Sequence, residues 1–192
     1  RGAAPEAEIA VVKLKGAKKY LREYYLIPEE AEAYQENDIM QAVRYLEGMA
    51  IVFRRPVVIV LGIGTNMGDH AGNSPLGAYL NKIAAKRSRA VVVCGGNEGD
   101  KEHHCSGVMP EEIELRVEEN TKGFCMEIWG NRIDTYSVSL RTPGGETVSG
   151  IDFRGGIDNN YTFLFDRTRI YTGIEIKKKR SGNELVFFRF QD

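Results

Sequence analysis

Near Pro110 the hydrophobic pattern changes period, so one layer architecture cannot serve the whole chain. Before it, short β-branched runs alternate with runs of helical spacing. "AEIAVVKL" (Ala7 to Leu14) predicts a first strand. "NDIMQAVRYLEGMA" sets Ile39, Val43, Leu46 and Ala50 on one helical face, with Asn37 or Asp38 placed to cap it. "PVVIVL" (Pro56 to Leu61) is uniformly apolar, as a strand covered on both faces should be. "SPLGAYLNKIAAKRS" offers Ser74 as N-cap, Pro75 at the first helical position, and a stripe of Leu76, Tyr79, Leu80 and Ile83. "AVVVC" (Ala90 to Cys94) reads as another buried strand. This β-α-β-α-β order predicts a parallel sheet with helices on its faces.

Beyond Pro110 the helical period is gone. "EIELRVEE", "GFCMEIWG", "TYSVSLRT", "NYTFLF", "RIYTGIEIKK" and "ELVFFRF" follow one another, divided by turns such as "PGGE" and "SGNE". Ile113, Leu115 and Val117 alternate with polar residues, as do Tyr136, Val138 and Leu140, which predicts half-buried antiparallel strands in a sandwich or jelly roll. The expected organisation is an α/β portion over 1–108 and an all-β domain over 109–192. Between the first strand and the first helix lies "GAKKYLREYYLIPEEAEAYQ", long, aromatic and charged. A connection of that length is usually functional or an ordered excursion.

Composition narrows the function classes. Hydrophobic residues at 42% and charged residues at 28% of 192 are enough to build a core without staples. Lys+Arg 26 against Asp+Glu 27, a formal net charge of -1, carries no basic excess for nucleic acid and no acidic tail for a basic partner. Cys94, Cys105 and Cys125 form no CxxC and no even framework, so a reducing compartment is the default. No apolar run has the length of a membrane span, and no signal peptide is visible. The opening "RGAAPEAEIAVVKLK" has no initiator Met and reads like a chain cut from something longer.

Three site readings compete. Gly62, Gly64 and Gly68 follow a strand, but the dinucleotide fingerprint needs its third glycine one residue earlier, at the start of a helix. His103, His104 and Cys105 are adjacent, whereas zinc ligands are separated by two or more residues, so no metal is expected. A triad within the chain fails too. Of the three histidines, His70 adjoins Asp69, and neighbouring side chains point apart. Cys125 reads as a small core residue on a strand, and Trp129 as an aromatic core residue or turn anchor of the sandwich.

Three stretches in order carry a resemblance: "GAAPEAEIAVVKLK", "RPVVIVLGIGTNMGDHAGNSPLGAYL" and "AVVVCGGNEG". They look like successive motifs of the subtilisin-like serine peptidases. The long excursion, the "GTNMGDHAG" loop and a β-module directly after "GNEG" resemble the clostridial spore-germination proteases, whose subtilase domain carries an inserted jelly roll. "MEIWGNRIDTYSVSLRTPGGE" fits the start of that insert. The resemblance implies a role for Asn97 as oxyanion-hole donor. It implies that Gly62, Ile63 and Gly64 form one wall of the pocket for the residue before the scissile bond, and Cys94, Gly95 and Gly96 the other. It assigns nothing to His70, His103 or His104.

In that family the catalytic Asp and His precede the part matched here, and the nucleophilic Ser, in a Gly-Thr-Ser context, follows it. The resemblance therefore implies the middle of a serine endopeptidase. Such a piece has no cofactor, takes a peptide or protein substrate only in the intact parent, and is inactive by itself. It also implies the bacterial cytoplasm or spore. A catalytically dead homologue that binds a partner through the same cleft is the alternative, and a plain β-sandwich interaction module is a third.

Overall fold

The computed structural model describes residues 2–108, 112–131, 136–152, 159–176 and 183–192. Pro110, the four residues 132–135 within the insert-like stretch, and the first half of the "SGNE" turn lie outside them. The described residues form two compact units. One gathers Glu30–Gly64 and Ser74–Asn97 with the N-terminal residues to Lys19; the other gathers Tyr20–Glu29, Thr65–Asn73 and Glu98–Asp192.

The first unit is a small α/β layer. Helix α2 (Glu36–Val52) and helix α3 (Pro75–Ala84) lie against strands β1 (Val57–Leu61) and β2 (Arg89–Val93), which pair in parallel. Val43, Ile59 and Ile83 are buried at its centre, with Leu46, Val57, Leu61, Tyr79, Leu80 and Val91 packed around them. Ser74 caps α3 as its sequence requires: its Oγ accepts the Gly77 N–H at 3.0 Å, and Pro75 follows.

Three expectations are corrected here. The N-cap of α2 is Gln35, which makes no side-chain capping bond, while Asp38 pairs with Lys15 at 3.2 Å. Residues 7–14 form no strand: Ile9 and Val11 are 86% and 83% exposed, with no ladder partner among the described residues. β1 and β2 are covered on one face only. Ile59 is buried, but Val58 and Val60 are exposed, so the apolar run does not mark a strand enclosed on both sides among these residues. β-branched composition supplies strand propensity, yet a strand exists only where another offers hydrogen-bonding groups.

The second unit is a β-sandwich. One sheet has the order β3 (Gly123–Asn131), β8 (Asn183–Gln191), β7 (Arg169–Ile176), β6 (Asn159–Thr162), all antiparallel. The other is the β4 (Ser137–Arg141) and β5 (Thr147–Asp152) hairpin. The core joins the two: Val186, Phe188 and Phe190 of β8 and Ile170 of β7 meet Ile151 of β5, with Val138, Leu140 and Val148 around them. Tyr136, Val138 and Leu140 follow the expected alternation. Ile113, Leu115 and Val117 do not, for they are exposed and outside any strand.

β8 also explains why its "LVFF" is apolar without a break. Alternation sends Val186, Phe188 and Phe190 into the core and Leu185, Phe187 and Arg189 to the outer face. That outer face is covered by the long excursion. Helix α1 (Lys19–Tyr24) ends in a turn with Leu26 at φ 54°, closed by Ile27 N–H to the Arg22 carbonyl. Tyr24 and Tyr25 then lie against Phe187. Arg189 donates to the carbonyls of Tyr24 (2.8 Å) and Glu23 (3.3 Å), satisfying acceptors that a helix end leaves open. The excursion is closed at its base by the Gly16–Tyr34 bridge and by Ala17 N–H to the Ala33 carbonyl.

Candidate functional site

Strand register places the glycine-rich segments. β1 and β2 are paired from Val57↔Arg89 to Leu61↔Val93, so they end level. Cys94 N–H still donates to the Leu61 carbonyl at 3.1 Å. Gly62-Ile63-Gly64 and Cys94-Gly95-Gly96 therefore leave the carboxyl ends of two parallel strands side by side, the end at which open α/β sheets bind ligands. A Cβ added to Gly64 would sit 3.9 Å from Cys94 Sγ. A Cβ at Gly62 or Gly95 would meet nothing within 4 Å, so there is space above both segments. Gly96 has φ +77°, which a side chain would strain, and it turns the chain into the exposed Asn97.

The two loops that follow belong to the second unit. Asp69 organises the first: its carboxylate accepts from Ala71 N–H (3.1 Å), Asn73 N–H (3.4 Å) and the Asn73 side chain (2.8 Å). Asp69 thus ties its own loop together. Asn66 Nδ2 donates to Glu98 Oε2 (3.1 Å) and lies 3.1 Å from His103 Nδ1. The His70 and His104 rings face each other with centroids 4.2 Å apart. His103 and His104 accordingly turn to different partners, and the Glu98 carboxylate is occupied by Asn66 and His103.

The loop 65–73 is also held by the sheet. On β3, Phe124, Met126 and Ile128 pack on the core, so alternation carries Cys125, Glu127 and Trp129 to the other face. Glu127 Oε2 accepts the Gly68 N–H at 2.7 Å and the Trp129 indole N–H at 2.8 Å. Cys125 is half-buried; burial pushes its thiol up to about 11, with Arg189 opposing and Glu127 assisting. Trp129 is a partner of Glu127 and not a member of the buried core.

Sequence reasoning missed Asn66 and Glu127. The signal for Glu127 was present, since a carboxylate two residues from a tryptophan on an alternating strand shares its face. Asn66 had no such signal, because its partners Glu98 and His103 are distant in sequence.

No protein-family model and no curated protein sequence matches the chain. A solved structure does. The chain superposes on the Clostridium perfringens CspB protease with a TM-score of 0.76 at 22% identity, over 85% of its own length and 35% of that chain. It therefore has the fold of part of a clostridial protease and spans about a third of that molecule.

Proposed function

We propose that this chain is the middle part of a subtilisin-like serine endopeptidase, with the β-sandwich as its inserted jelly roll, as in the clostridial spore-germination proteases. The observation that carries the reading is the level ending of β1 and β2, which sets Gly62–Gly64 beside Cys94–Gly96. An extended peptide adds to the Gly62–Gly64 edge as a further strand, through main-chain hydrogen bonds that make little demand on its side chains. The residue before the scissile bond enters the space between the two glycine segments. With one small side chain and two glycines along one wall, the pocket accepts large residues.

Asn97 supplies a side-chain N–H where negative charge develops on the scissile carbonyl. A donor fixed in advance stabilises the transition state more than the bound substrate, so its loss falls on turnover and not on binding. The acyl-forming serine, its histidine and the aspartate belong to the rest of the parent. The chain alone therefore hydrolyses nothing, and a fluorophosphonate probe labels no serine in it stoichiometrically.

The test is Asn97→Ala in a longer parent that carries a Gly-Thr-Ser motif. Turnover should fall by roughly 10²–10³, the loss known for the equivalent donor in subtilisin, with KM nearly unchanged. Unaltered turnover would remove Asn97 from the oxyanion hole. A parent without that serine would make the molecule a binding homologue.

A further inference from the structure

We propose that the turn between β6 and β7 is a lipid-binding tip, which enters the surface of a zwitterionic bilayer through Leu164 and Phe165 and is held in shape by Glu146. β6 stops at Thr162, so the run "FLF" leaves the strand before its alternation is complete. Phe163 is buried in the core of the sandwich. Leu164 and Phe165 stand 77% and 85% in water, side by side. Single exposed apolar residues are ordinary. An adjacent pair on a turn of fixed shape is not, and these two contribute nothing to the core. Every residue of this arrangement belongs to the second unit.

Glu146 comes from the neighbouring turn, between β4 and β5. Its Oε1 accepts the Leu164 N–H and its Oε2 the Phe165 N–H, both at 2.8 Å. Such charge-assisted bonds are roughly twice as strong as neutral ones. The turn that carries Glu146 is itself tied: Thr142 N–H donates to the Glu146 carbonyl, and Thr142 Oγ1 accepts the Glu146 N–H. Phe163 N–H donates to the Thr168 carbonyl at 2.9 Å. Three successive N–H groups at the tip are thus satisfied from within. That bears on the partner. A protein pocket can offer acceptors to an open turn, whereas hydrocarbon offers none, so a segment entering lipid must satisfy its donors internally. Charge points the same way. Asp166 and Arg167 follow the apolar pair directly and are both exposed, one acid and one base. A zwitterionic headgroup carries the complementary pair, an ammonium and a phosphate. Two side chains make a weak, reversible anchor, since even one long acyl chain binds only marginally.

The experiment floats the full chain with palmitoyl-oleoyl-phosphatidylcholine vesicles at millimolar lipid and measures the partition coefficient. Phe165→Ser and Leu164→Ser should each lower it by about tenfold, the loss of one inserted apolar side chain. Val60→Lys, which alters the exposed face of β1, should leave it unchanged. Glu146→Ala should raise hydrogen exchange at the Leu164 and Phe165 amides by about tenfold and weaken partition by about threefold, although both apolar side chains remain. Glu146→Gln, which keeps one acceptor, should fall between, and replaces the alanine variant if that one does not fold. Exchanging a third of the lipid for phosphatidylglycerol should change partition by less than about twofold, because Asp166 offsets Arg167. No flotation of the wild type, or equal flotation of the Phe165 and Leu164 variants, would overturn the lipid reading. A dimer in lipid-free buffer that Phe165→Ser dissolves would overturn it too, by assigning the tip to a second copy. Partition equal to wild type in a folded Glu146→Ala or Glu146→Gln variant with faster exchange would remove Glu146 from the proposal. A strong gain with phosphatidylglycerol would overturn the zwitterionic assignment.

Discussion

Tyr24 stacks on Phe187, ring centroids 5.8 Å apart and planes 8° from parallel. An aromatic residue from the N-terminal excursion thus closes the outer face of the last strand, and Arg189 fastens the backbone beside it. Phe187 is buried, so Phe187→Ala should cost about 3 kcal/mol or more. Tyr24→Ala, which removes a partly exposed ring, should cost about 1 kcal/mol. Urea denaturation of both variants checks the order. Equal, negligible losses would mean that the excursion does not stabilise the sandwich.

Gly123 begins β3 at φ +148°. A Cβ there would collide with the Phe190 carbonyl and approach Leu26 Cδ1 to 2.8 Å. The Phe190 carbonyl is backbone in a paired strand and cannot swing aside. Gly123→Ala should destabilise the fold by about 1–3 kcal/mol. A melting temperature matching the wild type would refute the clash.

Ser74→Ala should remove the bond to the Gly77 N–H and lower stability by about 1 kcal/mol. Ser74→Asp should preserve most of it, since a carboxylate accepts the same N–H and suits a helix N-terminus. Comparing the two by denaturant titration separates a cap effect from general intolerance at the site.

Cys125 makes alkaline behaviour predictable. Burial raises its thiol from 9.0 to about 11. The neutral thiol's contribution to stability is therefore whole below pH 9 and lost as the pH rises towards 11. Cys125→Ala should flatten the fall in stability over that window. Iodoacetamide, which reacts with the thiolate, should modify Cys125 more slowly than the exposed Cys94 and Cys105 at pH 8.5. Comparable rates at all three sites would contradict the burial.

The α/β pattern before Pro110 and the strand pattern after it were legible because each element advertises its own period. Ser74 and Pro75 marked a helix start since capping is local, and Tyr136, Val138 and Leu140 marked a strand since one face met a core. What failed depended on distant partners. Ala7 to Leu14 and Ile113 to Val117 have strand composition but no strand beside them among the described residues. The β5 strand Thr147–Asp152 was not foreseen, for Gly150 (φ +73°) and Ser149 weaken its propensity while Ile151 secures it through the core. The covering of Phe187 by Tyr24 could not be read either, because nothing in either segment names the other. The glycine segments could be read together only through a family resemblance. Their adjacency depends on the parallel register of β1 and β2, which no local signal encodes.

The open face of β1 and β2 determines how this chain behaves in a tube. Val58 and Val60 are 63% and 68% exposed, and Val92, opposite Val60, is 49% exposed, so a valine patch stands in water beside strand edges that have no partner among the described residues. Two such patches conceal each other when molecules meet, and the edges offer hydrogen bonds to any neighbouring strand. With a net charge of only -1, long-range repulsion does little to keep molecules apart. Concentration is therefore the variable to control, and a charged side chain at position 58 or 60 is the change that should most extend the solution lifetime of the chain.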